Sequence, residues 1–281
     1  MGYAIPVKPG AKVDLANIEP KQDGGLTKEA GQKRLQSLVA ELADLQELLY
    51  AAGDHALLVI LQGMDTSGKD GTVREVFADV SPIGCQVVGF KVPTAEELGH
   101  DFLWRIHQMT PVRGMITVFN RSQYEDVLVV RVRGLASEAV WRPRYEQINA
   151  FEALLASTDM IVVKCFLHIS KEEQEERLRA READVTKAWK LSIGDWEERA
   201  FWNDYQAAYA EALSRCSTKP VPWLIIPADR KWFRNLAVAE ALVETLRPYR
   251  DGWLKILGER GAEELAKIKG LRGRGNGATS A

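Results

Sequence analysis

The chain of 281 residues is poor in cysteine and histidine, has a net charge of −2 at pH 7, and contains no long apolar run. Its three cysteines, Cys85, Cys165 and Cys216, lack the close spacing of a zinc site and argue against a disulfide framework. A charge near zero creates no general attraction for nucleic acid. No apolar segment approaches the roughly 20 residues that cross a bilayer, and a signal-peptide core is missing. We therefore expect a cytoplasmic protein with no membrane and no nucleic acid among its partners.

Short Val- and Ile-rich runs alternate with helical patterns, which indicates an α/β fold with a parallel sheet flanked by helices. Strands are predicted at 57–62, 86–90, 115–119, 160–168 and 223–227. Helices are predicted at 27–52, 70–79, 95–109, 122–132, 141–156, 171–182, 195–216 and 231–246. Residues 1–25 are predicted to be an extended surface segment, and the Gly-rich residues 258–281 a disordered tail.

The stretch 63–69, GMDTSGK, has the pattern G-x-x-x-x-G-K between a predicted strand and a predicted helix, as in a phosphate-binding P-loop. Backbone N–H groups and the positive end of the following helix would attract phosphates, with Lys69 as a point charge. Asp70 stands where Ser or Thr usually binds magnesium, and Asp65 lies inside the loop. A glycine-rich turn without a ligand is the alternative. The phosphate-binding candidates are Gly63, Met64, Thr66, Ser67, Gly68, Lys69, Asp70 and Gly71.

A second polar stretch, 120–126, follows the strand predicted at 115–119. The strand ends of a parallel sheet share one edge, so Arg121 and Asp126 are expected near the P-loop, where a second acid can help to hold magnesium. For Glu125 alone, capping of the helix start or simple solvation is favoured. Arg131, after an apolar run, is either part of the site or part of a buried ion pair.

A third stretch is strongly charged and is predicted to form a lid at about 177–200. Arg177 and Arg181 share a helix face, and Lys187 and Lys190 follow after a break. Basic side chains are natural partners of a polyanion, and a closing lid excludes water from phosphoryl transfer. The alternative is a basic hairpin that serves as an interface.

Three motifs together closely resemble the polyphosphate kinase family 2: GMDTSGKDGTVR (63–74), FNRSQYEDVLVVRV (119–132) and PADRKWFRN (227–235). The resemblance covers roughly residues 26–250. It implies a three-layer, thymidylate-kinase-like P-loop kinase domain over 26–257 with a helical lid. It also implies reversible, Mg²⁺-dependent transfer of a phosphoryl group between inorganic polyphosphate and a nucleotide. Mn²⁺ is an alternative metal.

The same resemblance implies roles for single residues. Asp65, Lys69, Arg121 and Asp126 would be catalytic, with the metal held by Asp65 and Asp126, and with phosphates bound by Arg177, Arg181, Lys187 and Lys190. The nucleotide would lie near Asn120, Arg121, Ser122, Tyr124, Glu125 and Arg131. The chain is most similar to the subgroup that phosphorylates both AMP and ADP, yielding ADP and ATP; guanine nucleotides stay open as acceptors.

Two other functions remain open on the sequence alone. One is an ordinary ATP-dependent nucleoside monophosphate kinase, and the other is a non-catalytic phosphate-binding module. Self-association as a homodimer or homotetramer is expected, because leucines of helix 27–52 appear exposed in the pattern and the C-terminal half is rich in tryptophan.

Overall fold

The computed structural model describes residues 2–190 and 192–275 and is built on one six-stranded sheet. The strands stand in the order β1-β6-β5-β2-β4-β3. Their bounds are β1 Ile5–Pro6, β2 Ala56–Gln62, β3 Cys85–Gly89, β4 Ile116–Asn120, β5 Met160–His168 and β6 Trp223–Pro227. Strands β2 to β6 are parallel, so the predicted α/β fold with a parallel sheet is confirmed.

Twelve α-helices lie within the described ranges, together with four short 3₁₀ segments. The first six are α1 Lys28–Ala52, α2 Lys69–Val76, α3 Ala95–Leu98, α4 Trp104–His107, α5 Val129–Val132 and α6 Glu138–Trp141. The others are α7 Arg144–Ala156, α8 Lys171–Glu182, α9 Ile193–Arg199, α10 Trp202–Arg215, α11 Lys231–Leu246 and α12 Arg250–Gly275. Among these residues no helix is both long and apolar enough to span a bilayer.

Helices cover both faces of the sheet and make a three-layer structure. One apolar cluster joins the sheet to α1, α2 and α11, and the other joins it to α7 and α10. Central strand β2 is buried at all seven positions, as its continuous apolar sequence requires. Leu42, Leu45 and Leu49 of α1 are fully or almost fully buried. The expectation that leucines of this helix are exposed for self-association is therefore wrong for these three.

The N-terminal segment differs from the surface extension that the sequence predicts. Strand β1 pairs with β6 in the antiparallel sense, and the backbone N–H of Tyr3 donates to Glu240 at 2.7 Å. Val7 and Leu15 are 5% exposed and belong to the core. The physical reason is that β6 would otherwise present an unpaired edge, which β1 covers.

Three helical stretches also differ from the predictions. The helix predicted over 95–109 is two short helices, α3 and α4, and the one over 122–132 begins as a 3₁₀ segment, Gln123–Val127. Helix α12 continues to Gly275 with ion pairs such as Lys267–Glu264 at 2.6 Å, so the tail predicted to be disordered is helical over 258–275. Residues 276–281 lie outside the described part.

Candidate active site

The P-loop connects β2 to α2 through backbone conformations that favour glycine. Gly63 and Gly68 have φ of 153° and 103°, and Thr66 between them has φ of 64°. The Lys69 side chain is 8% exposed, and its Nζ donates to the carbonyl oxygens of Gly63 at 2.7 Å and Met64 at 3.2 Å. Burial, and then repulsion by Arg121, lowers the pKa of Lys69 to about 8. An anion that binds in the loop would therefore stabilise the charged form of Lys69.

An ion-pair triad stands beside Lys69. Arg121 follows β4 directly, and its Nη2 donates to Asp65 Oδ1 at 2.6 Å while its Nη1 donates to Glu125 Oε2 at 3.1 Å. Glu125 and Asp65 raise the pKa of Arg121 further above its already high value. Arg121 has φ of 68°, an unusual conformation for a residue with a side chain. The two carboxylates fix this cation at the strand ends next to the loop.

Asn120 adds a second link between the P-loop and the end of β4. Its Nδ2 donates to Asp70 Oδ1 at 2.8 Å. Asp70 therefore orients a side chain of the second motif. The sequence prediction that the P-loop and the 120–126 stretch share one edge of the sheet agrees with this contact and with the Arg121–Asp65 pair.

Two clefts flank the P-loop. The large cleft, of about 890 Å³, lies toward α1, α8 and α11 and includes Arg74 and Arg234. The small cleft, of about 510 Å³, lies toward β3 and β4 and includes Asp65, Lys69 and Arg121. The residues common to both clefts are Thr66, Gly68, Gly71, Arg181 and Trp189. The loop is thus the meeting point of two spaces.

The predicted lid corresponds to the C-terminal part of α8, a 3₁₀ segment at Val185–Lys190, and α9. Arg181 lines both clefts, and its Nη1 lies 2.9 Å from Asp195 Oδ2 of α9. Burial, and then the negative charge of Asp65, raises the pKa of Asp195. The side chains of Lys187 and Lys190 lie outside the described part, so their predicted phosphate contacts stay predictions.

Arg177 lines the large cleft, and its predicted phosphate contact stays a prediction. Its guanidinium donates to the carbonyl oxygens of Thr66 and Ser67 at 2.9 and 3.0 Å, and to those of Ala228 and Asp229 at 2.6 and 2.8 Å. The side chain is 8% exposed. Arg177 therefore ties the back of the P-loop to the end of β6, because carbonyl oxygens turned away from a phosphate site need donors.

Asp126, predicted as a metal ligand, is paired with an arginine in this structure. Its Oδ1 accepts from Arg144 Nη1 at 2.9 Å, and it lines neither cleft. Burial raises the pKa of Asp126 to about 6, although Arg144 and Arg105 oppose that rise. Within 2–190 and 192–275, no group of three or more His, Cys, Asp or Glu side chains forms a metal cage. The prediction that Asp65 and Asp126 together hold a metal stays a prediction.

Three residues predicted to contact the nucleotide have structural partners. Ser122 is fully buried, and its hydroxyl accepts from Gln62 at 3.1 Å. Arg131 Nη1 lies 2.6 Å from Glu211 Oε2, which is the ion pair kept open as its alternative role. Tyr124 is fully buried in the network described next. Their predicted nucleotide contacts stay predictions.

A buried polar network lies beneath the second motif. Lys164 of β5 donates to the Tyr124 hydroxyl at 2.9 Å and to Glu152, while Glu152 Oε1 accepts from Tyr124 at 2.7 Å and from Gln123 at 3.0 Å. Lys164 and Glu152 are 0% and 1% exposed. The network fixes the 3₁₀ segment that carries Glu125.

Sequence reasoning missed several residues of the clefts, among them Phe90, Lys91, Asp195 and Arg234. Phe90 and Lys91 directly follow β3. Because ligands bind at the carboxyl ends of parallel strands, this position in the sequence could have identified them. Arg234 lies inside the quoted motif at 227–235, and that motif was the signal available for it.

Comparison with known proteins agrees with this geometry. The family model described as "Polyphosphate kinase 2 (PPK2)" matches residues 25–251. The "AMP/ADP-polyphosphate phosphotransferase" of Meiothermus ruber is 48% identical over 244 residues, which cover 85% of this chain and 91% of that protein. The "ADP-polyphosphate phosphotransferase" of Rhodopseudomonas palustris is 46% identical over 250 residues, with 84% and 86% covered.

Solved structures agree as well. Polyphosphate kinase 2 from Arthrobacter aurescens TC1 is 43% identical and superposes with a TM-score of 0.83, covering 89% of this chain and 93% of that chain. A putative polyphosphate kinase 2 from Pseudomonas aeruginosa is 32% identical, with a TM-score of 0.80, covering 85% of this chain and 51% of the other. The sheet order, the P-loop beside a charged lid, and these matches have one explanation: the chain belongs to the polyphosphate kinase 2 family.

Proposed function

We propose that this protein transfers the terminal phosphoryl group of inorganic polyphosphate to AMP and ADP, reversibly, in the cytoplasm. The observation that carries the proposal is that two clefts meet on one P-loop, at Thr66, Gly68 and Gly71. Transfer between two phosphorylated substrates needs such a shared point, because donor and acceptor must meet in line. The names of the relatives supply the two substrates. The three free thiols agree with a reducing compartment.

The donor and the acceptor are assigned to different clefts. The large cleft is bordered by basic side chains of α2, α8 and α11, which suits a long polyanion. The small cleft ends at Asn120 and Arg121, where the phosphate of a nucleotide would find donors. Guanine nucleotides are a second acceptor class, in line with a relative named as a putative GDP-polyphosphate phosphotransferase.

Chemistry at the loop is mostly positioning and charge neutralisation. The phosphoryl group carries its charge on peripheral oxygens, so Lys69, the loop N–H groups and Arg121 stabilise it during transfer. The acceptor oxygen is a phosphate that is already ionised, so a strong general base is not required. Arg181 and Asp195 would bring the lid over the meeting point and exclude water.

Mg²⁺, with Mn²⁺ as an alternative, would supply further neutralisation of the phosphate oxygens. A magnesium ion that is bound mainly by phosphates needs only one or two carboxylates from the protein. Asp65 fits, because its side chain is 24% exposed and lines the small cleft. Asp126 is the second carboxylate predicted for the metal; its Oδ1 is paired with Arg144, and it lines neither of the two clefts.

The first test separates this function from its rivals by exchanging donors. AMP is incubated with polyphosphate and magnesium but without ATP, and in parallel with ATP but without polyphosphate. ADP formation in the first mixture supports the proposal. ADP formation only in the second would identify an ATP-dependent nucleoside monophosphate kinase, and polyphosphate binding without a product would identify a binding module. Homodimer or homotetramer formation, which we also propose, is measured by light scattering.

A further inference from the structure

Arg234 stands on the floor of the large cleft as a buried cation. It lies in the first turn of α11, is 3% exposed, and belongs to the cleft lining together with Gly68 and Gly71. A Cβ atom built on Gly68 would come within 1.7 Å of Arg234 Nη1. The guanidinium thus occupies the space directly against the P-loop turn.

The hydrogen-bond partners of Arg234 are all neutral. Nη1 donates to the carbonyl oxygen of Ser67 at 3.2 Å, and both Nε and Nη2 donate to Asn235 Oδ1, at 3.0 and 2.8 Å. Two of the five N–H groups of the guanidinium have no acceptor among the described residues. In the same part of the chain, no carboxylate lies within 4.0 Å of it.

A buried arginine normally has a carboxylate partner, since an uncompensated charge away from water is costly. Arg177, the neighbouring arginine, shows the usual arrangement, because its Nε lies 2.8 Å from Glu173. For Arg234, burial, and then repulsion by Arg177, lowers the pKa to about 9, so the group is still charged at neutral pH. Glu75, which pairs with Arg74, opposes this lowering only in part and forms no ion pair with Arg234.

A second polar atom at this place also lacks a partner. The Oγ1 atom of Thr66 is buried and has no hydrogen-bond partner, and Thr66 lines both clefts. An anion seated between Thr66 and Arg234 would satisfy the hydroxyl and compensate the guanidinium together. Fork-shaped donors of arginine suit phosphate oxygens, which a lysine meets only as a point charge.

We propose that Arg234 binds a phosphate of the polyphosphate donor and sets the affinity for that substrate without contacting the nucleotide. This inference rests on the proposed function, since it names a donor-binding residue of the same site. In the proposed function the nucleotide meets Asn120 and Arg121 in the small cleft, and Arg234 does not line that cleft. Substitution of Arg234 should therefore weaken the binding of polyphosphate and leave the binding of the nucleotide unchanged.

The test compares Arg234→Met, Arg234→Gln and Arg234→Lys with the wild type. Apparent KM is measured for polyphosphate at saturating AMP and for AMP at saturating polyphosphate. For Arg234→Met and Arg234→Gln we expect the polyphosphate KM to rise at least tenfold and the AMP KM to stay within twofold, with partial recovery in Arg234→Lys. Polyphosphate alone should raise the melting temperature of the wild type, and much less that of the variants.

Arg247→Met is the matched control. Arg247 caps the other end of α11, roughly 20 Å from Arg234 at 1.5 Å per residue, and pairs with Glu41 and Glu244 at the surface. Both KM values should stay within twofold of the wild type in this control.

Several outcomes would overturn the inference. One is an unchanged polyphosphate KM in a folded variant. Another is an equal rise of both KM values while polyphosphate still raises the melting temperature as much as in the wild type. That second result would mean that Arg234 only supports the conformation of the loop. If Arg234→Met fails to fold, Arg234→Gln and Arg234→Lys decide by the same criteria, because both keep donors for Ser67 or Asn235. A wild type that makes no ADP from polyphosphate and AMP would instead refute the proposed function.

Discussion

Arg121 Nη2 lies 2.6 Å from Asp65 Oδ1, and this ion pair joins the P-loop to the segment that follows β4. The two residues are 56 positions apart and come from neighbouring parallel strands. Asp65 thereby holds the arginine in the small cleft, where an acceptor phosphate would replace the carboxylate as its partner. The pair is the point at which the two motifs act as one site.

Asp65→Asn should abolish phosphoryl transfer while leaving the fold intact. We expect kcat to fall by about 10² or more, the usual cost of losing one electrostatic contact to a transition state. The free energy of unfolding should change by less than about 1 kcal/mol, as for partly exposed ion pairs. Steady-state kinetics and urea unfolding measure the two effects. Asp251→Asn, at a side chain that is 96% exposed, is the control; wild-type turnover by Asp65→Asn would contradict this role.

The pH dependence of activity should report Lys69. Its pKa in the free protein is lowered to about 8, so the cation is lost as pH rises through this value. We expect kcat/KM for polyphosphate to fall tenfold per pH unit above about pH 8, since this quantity follows the free enzyme. Lys69→Arg, if it retains measurable activity, should lack this limb because arginine stays charged. A flat profile up to pH 10 in the wild type would show that Lys69 does not titrate there.

The free energy of unfolding should depend on pH through the titration of Asp126. Its pKa is raised from 3.8 to about 6 in the folded state, so the folded protein binds more protons than the unfolded chain between these values. Stability is therefore lost as pH rises from about 4 to about 6, by up to about 3 kcal/mol at 1.36 kcal/mol per pKa unit. Asp126→Asn should remove that slope. Urea unfolding between pH 4 and 7 checks it, and parallel curves for wild type and variant would refute it.

Breaking the buried pair of Lys164 and Glu152 should be strongly destabilising. Lys164→Met leaves the Glu152 carboxylate buried without its cation, which costs about 3–5 kcal/mol. The double variant Lys164→Met, Glu152→Gln should recover at least half of that loss, because no unpaired charge remains. Urea unfolding measures the effect, with Asp159→Asn in the exposed Arg113–Asp159 pair as a control below about 1 kcal/mol. The prediction would be contradicted if the double variant lost as much free energy of unfolding as the two single variants together.

Local patterns account for what the sequence predicts well. The P-loop and the strands around it are encoded by contiguous residues, so Gly63 to Lys69 and the bounds of β2 and β5 follow from spacing and apolar runs. The partners of charged residues depend on distant segments instead. Asp126 meets Arg144, and Arg177 meets carbonyl oxygens of two separate loops.

The same distinction explains the N-terminal and C-terminal differences. Strand β1 is formed by pairing with β6, more than 200 residues away, and no local pattern at Ile5 announces that partner. At the other end, glycines at the end of the chain suggested disorder, while the Glu, Leu, Ala and Lys residues of 258–275 favour the helix.

The central claim, that polyphosphate is the phosphoryl donor at this P-loop, is tested most directly by a product time course. Protein, AMP, magnesium and polyphosphate are mixed without ATP, and the nucleotides are separated at intervals, with Lys69→Met run in parallel. We predict that ADP appears first, that ATP follows as ADP accumulates, and that the variant forms neither. Unchanged AMP in a mixture that does form ADP once ATP is supplied would contradict the account.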